Sequence, residues 1–342
     1  MDKRKLFIIT GILFLAIASI GFYFYQKIYG KNVVKSGDVF IKSTDDFENV
    51  TKTVSPFLND VDDFIWVSKK KRYSTIKAGK YLLKEGMSAN DLVNMLRSGR
   101  QTPVIISFNN QDTLEKLAGR IAEQIEPDSL SLLTAFQNQK FLSQKNLSSK
   151  SVLGIFIPNS YEFYWNTSAE NFRDKMLKNY DAFWTENRIS KAKELNLSKE
   201  EVITLASIVQ KETAKKSERP IVAGLYLNRL KKGWPLQADP TIIYTIREQK
   251  GQDFVVKRVL TKDLQIKSPY NTYINRGLPP TLIAMPDISS IDAVLNASKH
   301  NYYYMCVNVE KLGYHTFASS LSQHNRNAAK YHSWLNKQGV NR

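Results

Sequence analysis

The chain has 342 residues, enough for a sizeable buried core and two folded units. Lysine and arginine (49) outnumber aspartate and glutamate (32), giving a net charge of +17 that suits an anionic partner: nucleic acid, an acidic glycan or lipid head groups. The single cysteine, Cys306, excludes an internal disulfide framework and a multi-cysteine metal site, and reads as a small apolar core residue.

Residues 6–25 carry 20 uncharged side chains, roughly enough helix to cross the ~30 Å hydrocarbon core of a bilayer. Lys3, Arg4 and Lys5 precede this stretch, so the positive-inside rule keeps residues 1–5 cytoplasmic and puts the rest outside. Ala16-Ile17-Ala18 offers a signal-peptide cleavage site as the alternative. Against cleavage, the apolar run continues to Phe22, Tyr23, Phe24 and Tyr25, a pattern suited to the membrane interface. An extracytoplasmic body seldom meets DNA or nucleotides, and neither a G-x-x-x-x-G-K-[ST] loop nor a G-x-G-x-x-G turn occurs. Nucleic acid is thereby disfavoured, and the positive charge points to cell-wall polymer or a membrane surface.

Beyond the anchor, residues 39–50 predict a short strand, a cap at Thr44 and an amphipathic helix. Residues 80–99 repeat that order, with a Ser88 and Asp91 capping box, Leu92, Val93 and Leu96 on one face, and Gly99 as the stop. The run Lys69 to Arg72 reads as a solvated loop. Residues 104–108 and 113–125 give a third strand and helix, so a domain boundary is expected near 101–103. The aromatic, proline-broken stretch 154–165 reads as ordered loop or strand. Helical periodicity follows over 168–186 and 198–213. A capped helix over 289–297, a strand over 302–309, its hairpin partner over 313–318 and a closing helix over 322–337 complete an α+β body.

Within it, Ser198 and Glu201 form a capping box that starts the helix through Glu212. Glu212 follows Val209, Ile208 and Leu205 by three, four and seven residues and shares their apolar stripe, whereas Lys211 follows Thr204 and Ser207 towards solvent. Partial burial and the negative helix end both raise the pKa of such a carboxyl, as a general acid requires. A structural alternative pairs Glu212 with Lys215, Lys216 or Arg219 at a frayed end. Next, Val222, Leu225, Tyr226 and Leu230 mark another amphipathic helix, followed by Gln237, Asp239 and Thr241 around a proline turn. That turn is a candidate cleft wall or a self-bonded turn. Asn271, Thr272 and Tyr273 precede a rigid Gly-Leu-Pro-Pro, and Asn and Tyr suit sugar recognition. Gln237, Asn271 and Tyr273 are expected to line one groove with Glu212.

The blocks ASIVQKET (206–213), LQADPT (236–241), YNTY (270–273), GLPP (277–280), GYHTF (313–317) and QHN (323–325) resemble the endolytic murein transglycosylase (YceG-like) family. Residues 79–96 resemble its LysM-like subdomain. One departure is Pro158-Asn159-Ser160-Tyr161, where the family pattern has Pro-Asp-Thr-Tyr. The resemblance implies a membrane anchor over 6–25, a LysM-like strand-helix subdomain over 33–101 and a mixed α+β catalytic domain over 103–340. It also implies a cofactor-free and metal-free lytic transglycosylase that cuts peptidoglycan strands and leaves 1,6-anhydro ends, with Glu212 as the acid. Gln237, Asp239, Asn271, Tyr273 and His315 are the expected substrate-binding residues. Glycan strands, the cytoplasmic membrane and peptidoglycan synthases are the expected partners, and termination of strand growth the expected role.

Two rivals remain. A two-carboxylate hydrolase would pair Glu212 with Glu218 or Asp239, although Glu218 reads as solvated beside Arg219. A noncatalytic wall-binding scaffold would leave Glu212 without a chemical role. His300, His315, His324 and His332 have no H-E-x-x-H spacing, G-x-S-x-G is absent, and the S-x-x-K matches at Ser68 and Ser190 sit among lysines. His315 reads equally as a structural histidine, and His324 and Asn325 as helix caps. Without residues 1–30, 45 basic side chains face 31 acidic ones, so the body keeps +14.

Overall fold

The computed structural model describes residues 3–337, which divide into two units. The first runs to Ile106 and adds Ala122–Asp128 and Ser160–Ser168; the second holds Ser107–Ile121, Ser129–Asn159 and the chain from Ala169 onward.

The first unit begins with helix α1 (Lys3–Tyr29), apolar and long enough to cross a membrane. Its final turns do not hang free: Phe24 stacks on Trp66 at 5.4 Å, and Lys27 pairs with Asp63 at 2.8 Å. Strand β1 (Gly37–Ile41) pairs antiparallel with β2 (Gly79–Leu83), Val39 facing Tyr81. Helices α2 (Phe47–Val54) and α3 (Val61–Lys70) lie between them in sequence, and α4 (Ala89–Ser98) follows. Alternation puts Val39, Ile41, Tyr81 and Leu83 on one face, where they bury against Phe64, Val67, Leu92 and Leu96. The Ser88–Asp91 capping box forms, and Gly99 ends α4 at φ 73°, a left-handed stop that glycine adopts freely. Two expectations need correction. Asp46 rather than Thr44 caps α2, because the helix starts later and Asp46 reaches the Asn49 N–H. Lys69 and Lys70 form the last turn of α3 rather than a loop, where cations suit the negative helix end. Strand β3 (Val104–Ser107) pairs with β4 (Ser160–Phe163).

The second unit is mostly helical: α5 (Leu114–Ala122), α6 (Ser129–Phe136), α7 (Gln139–Gln144), α8 (Ala169–Phe183) and α9 (Glu186–Glu194) lead to α10 (Lys199–Glu212). Every residue of α10 from Val202 to Gln210 is buried, as expected of a helix surrounded by others. Around it pack α9, α11 (Arg219–Lys231), α12 (Asp239–Lys250) and α13 (Ile288–Leu295). Its buried polar groups are satisfied: Ser207 donates to the Thr204 carbonyl and accepts from the Ile283 N–H, and Gln210 Oε1 accepts from the Asp287 N–H and Ser290 Oγ. The Ser198–Glu201 capping box starts α10 as read. Strands β5 (Tyr304–Val307) and β6 (His315–Ala318) form the expected hairpin, and α14 (Leu321–Lys337) follows. The proline turn is shorter than expected. Ala238 is extended, and Asp239 already opens α12 with Pro240 in its first turn, where the missing N–H costs nothing.

Where α10 ends, the chain is pinned. Arg219 is buried; its Nη1 donates to both carboxylate oxygens of Asp287 at 2.8 Å and to Ser289 Oγ at 2.5 Å, while Nε donates to the Thr213 carbonyl. Asp287 in turn caps α13 through the Ser290 N–H. Asp287→Ala leaves this guanidinium buried and unpaired, so urea unfolding should show a loss at the lower end of roughly 3–5 kcal/mol, since Asp287 itself is partly solvated.

Candidate active site

Glu212 is the last residue of α10, and it emerges half-buried into a groove of 310 Å³. Helix α11 supplies the opposite wall. Tyr226, fully buried, donates its hydroxyl to Glu212 Oε2 at 3.0 Å. Three residues on, the buried Arg229 donates to the carbonyls of Tyr303 at 2.7 Å and Leu236 at 2.6 Å and reaches Gln237 Oε1 at 3.5 Å. One guanidinium thus joins the hairpin segment, the turn after α11 and the groove.

The hairpin approaches α11 because Gly224 leaves room. A Cβ there would meet the Ser298 carbonyl at 2.4 Å. Asn228 then donates to the carbonyls of His300 and Tyr302, which holds β5 and β6 beside the groove. His315 lies on β6 and faces the groove. Its backbone N–H donates to Glu218 Oε1 at 2.6 Å and its Nδ1 meets Glu218 Oε2 at 2.9 Å. Glu218 is only 3% exposed, which corrects the reading of a solvated loop residue. It stands behind His315, immediately before α11, and its carboxylate accepts from the His315 backbone N–H and meets the ring.

Gln237 takes φ 48°, a strained value for a residue with a side chain, and it is held there by its N–H donating to the Thr272 carbonyl at 2.9 Å. The Ala238 N–H donates to Thr272 Oγ1, and Thr241 and Thr272 share a buried hydroxyl contact at 2.9 Å. These bonds fasten 237–241 to 271–273. Asp239 accepts the Tyr273 hydroxyl at 2.5 Å, and both line the groove. Of the expected residues, Glu212, Gln237, Asp239, Tyr273 and His315 meet there. Asn271 does not. It is fully buried, its Nδ2 donates to the Leu264 and Ile266 carbonyls, and its Oδ1 accepts from the Tyr273 N–H, so it builds the turn that presents Tyr273.

Burial pushes the Glu212 carboxyl up to about 6, with the Asp239 charge adding to the rise. His315, the Tyr226 hydroxyl and Arg229 pull the other way and keep the group within reach of ionisation. Burial and the Asp239 carboxylate hold the Tyr273 hydroxyl well above its usual range, so it stays a donor. The groove therefore combines one carboxyl able to exchange a proton near neutrality with hydroxyl, amide and imidazole groups suited to a polyhydroxylated ligand.

The sequence reading misses the roles of three groove or support residues. Tyr226 reads there only as apolar stripe, yet its hydroxyl touches Glu212. Arg229 had a legible signal: Val222, Tyr226 and Arg229 are spaced i, i+4 and i+7, which turns a cation inward. Glu218 had none, because its partner lies 97 residues away. Cys306 is a half-buried wall residue of the groove rather than core. His324 stacks on Tyr304 at 5.3 Å instead of capping α14. Among the described residues no three His, Cys, Asp or Glu side chains converge as metal ligands.

Comparison with known proteins fits this arrangement. The model of the YceG-like family matches residues 39–330. An endolytic murein transglycosylase of Bacillus subtilis is 31% identical over 290 residues, covering 80% of this chain and 78% of the relative. One of Streptococcus pneumoniae serotype 2 is 29% identical over 367 residues, covering 96% of this chain. The chain spans 65% of that relative's length. Among solved structures, a YceG-like protein of Listeria monocytogenes superposes with a TM-score of 0.56 at 26% identity, over 85% of this chain and 98% of that one. A family match across most of the sequence, with the groove residues inside it, settles the assignment: the chain belongs to the YceG-like family.

Proposed function

We propose that the chain is a membrane-anchored lytic transglycosylase that cuts peptidoglycan strands internally, at the β-1,4 bond between N-acetylmuramic acid and N-acetylglucosamine. Support comes from the family and from relatives named endolytic murein transglycosylase. The observation that carries the reading is the protonatable Glu212 carboxyl in a polar groove.

Glu212, protonated, gives its proton to the leaving glycosidic oxygen as the C1–O bond breaks. The neighbouring N-acetyl oxygen stabilises the electron-poor C1. Glu212, now a carboxylate, takes the proton of the muramyl 6-hydroxyl, whose oxygen closes on C1 to form the 1,6-anhydro ring. No water enters, and one carboxyl serves as acid and then base, whereas ordinary glycoside hydrolases divide such work between two. Burial gives the acid its proton, and Tyr226 with Arg229 and His315 eases the carboxylate stage. Gln237, Tyr273 and His315 orient the sugars, and Asp239 fixes the Tyr273 hydroxyl.

Helix α1 supports a single-pass anchor, with residues 1–5 cytoplasmic and the body in the periplasmic or wall space. The β1-α2-α3-β2 order supports a LysM-like reading of the first unit and a role in holding glycan. A body at +14 draws acidic stem peptides or anionic membrane, an attraction that salt weakens. Trimming or terminating new strands near the membrane, beside peptidoglycan synthases, follows from such an anchor.

Glu212→Gln should lower strand cleavage by roughly 10²–10⁴-fold while the protein stays folded. Full cleavage by that variant would remove Glu212 as the acid, and strands left uncut by wild type as well would leave the scaffold reading standing. Mass spectrometry of the wild-type products should give ends lacking one water; hydrated reducing ends would instead favour a two-carboxylate hydrolase using Asp239. On the alkaline side, kcat/KM should fall as pH rises through about 6, where Glu212 loses its proton. Stability should follow the same group. The folded value lies above the usual 4.5, so the folded chain holds this proton more tightly, and that stabilisation is lost as pH rises through about 6. Wild type should therefore lose about 2 kcal/mol relative to Glu212→Gln between pH 4 and pH 8, measured by urea unfolding.

A further inference from the structure

Outside the groove residues used above, two aromatic rings and a lysine form a cluster that the reaction does not employ. Trp234 lies in the turn after α11 and is 37% exposed. Its ring sits 5.3 Å from Tyr303, tilted by 48°. The Lys232 Nζ stands 4.3 Å from the Tyr303 ring centre and 5.4 Å from that of Trp234. Lys232 is exposed and, among the described residues, pairs with no carboxylate. Packing covers most of Trp234 and leaves 37% of it in water beside this unpaired ammonium, where a ligand can reach both.

The cluster lies outside the groove lining but is bonded to its wall. The Trp234 backbone N–H donates to the Arg229 carbonyl at 2.9 Å, and the Arg229 side chain donates to the carbonyls of Tyr303 and Leu236. Arg229 and Leu236 both line the groove. Leu236 follows Trp234 by two residues, at most about 7 Å of chain. The buried guanidinium therefore fixes both ring-bearing segments to the wall that also carries Gln237.

We propose that Trp234, Tyr303 and Lys232 form a further saccharide subsite of the groove, a reading that rests on the glycan-cleaving function above. A pyranose of the same strand lies with its C–H face on the Trp234 ring, and on a muramyl residue that carries no stem peptide the free lactyl carboxylate pairs with Lys232. An aromatic face offers apolar contact to a ring whose edges remain hydrated. The ammonium, already held against two rings, supplies the point charge that an acidic sugar, unlike a neutral one, can use. The subsite thus favours a carboxylate-bearing strand over a neutral polymer of the same linkage.

The test uses the full chain in detergent micelles with Glu212→Gln, so that strands remain intact. Probes are peptide-free glycan strands from peptidoglycan and the same strands with their carboxylates methyl-esterified. Adding Trp234→Ala should weaken binding of both by roughly 3- to 10-fold, and Trp234→Phe should restore most of it. Adding Lys232→Ala should weaken only the unesterified strands and flatten the salt dependence. Unchanged affinity of the Trp234→Ala protein, or no binding by the parent, overturns the subsite; an equal loss for both probes with Lys232→Ala overturns its carboxylate half. Cleavage by wild type is scored separately: uncut strands count against the transglycosylase reading, whereas cut strands with no Trp234 effect count against the subsite alone.

Discussion

The buried pair between Arg219 and Asp287 is the constraint on which the site depends. Helix α10 is enclosed over nine consecutive residues, Val202 to Gln210, so its end is where the chain must leave the core without exposing the helices around it. Arg219 answers that need from the start of α11. It holds the Thr213 carbonyl just past Glu212 and, through Asp287, the start of α13. Three helix ends meet on one guanidinium. Breaking this buried pair inside such a junction strands a charge. The end of α10 that carries Glu212 is thus fixed by residues outside the groove lining.

With that end fixed, the chemistry becomes an electrostatic balance. Burial alone would hold the Glu212 proton tightly, which suits the acid of the proposed reaction but not the base which that reaction needs next. Tyr226, Arg229 and His315 oppose burial by favouring the carboxylate. The result is a carboxyl placed between the two extremes. His315 holds its place because Glu218, behind it, bonds both its backbone and its ring. Gln237 is held at a positive φ by the Thr272 carbonyl, so some strain is kept in the wall that would meet substrate. Rigid supports under a small set of polar groups are what a site needs to orient a flexible sugar chain.

Local signals in the sequence carried far. Both capping boxes, Ser88 with Asp91 and Ser198 with Glu201, are read correctly because each is closed within four residues. The inward turn of Glu212 followed from the spacing of Leu205, Ile208 and Val209, which needs only helix geometry. Failures have different causes. Glu218 looked solvated beside Arg219 in a charged loop, and only a hairpin 97 residues away removes it from water. Asn271 has the chemistry of a sugar ligand, yet its three bonds are spent on its own turn. Thr44 and Asp46 are both good caps, and the choice between them rests on where the helix starts. Family resemblance bridged part of this gap by joining blocks that periodicity cannot connect.

The account rests most on the Glu212 carboxyl holding a proton that ordinary glutamates have lost. A side-chain carbon NMR titration of the full chain, with Glu212 identified by comparison with Glu212→Gln, reads this directly. A midpoint near 6 is the result the account predicts. A midpoint near 4.5, that of a solvated glutamate, would contradict it, because the groove would then hold an anion with no proton to give.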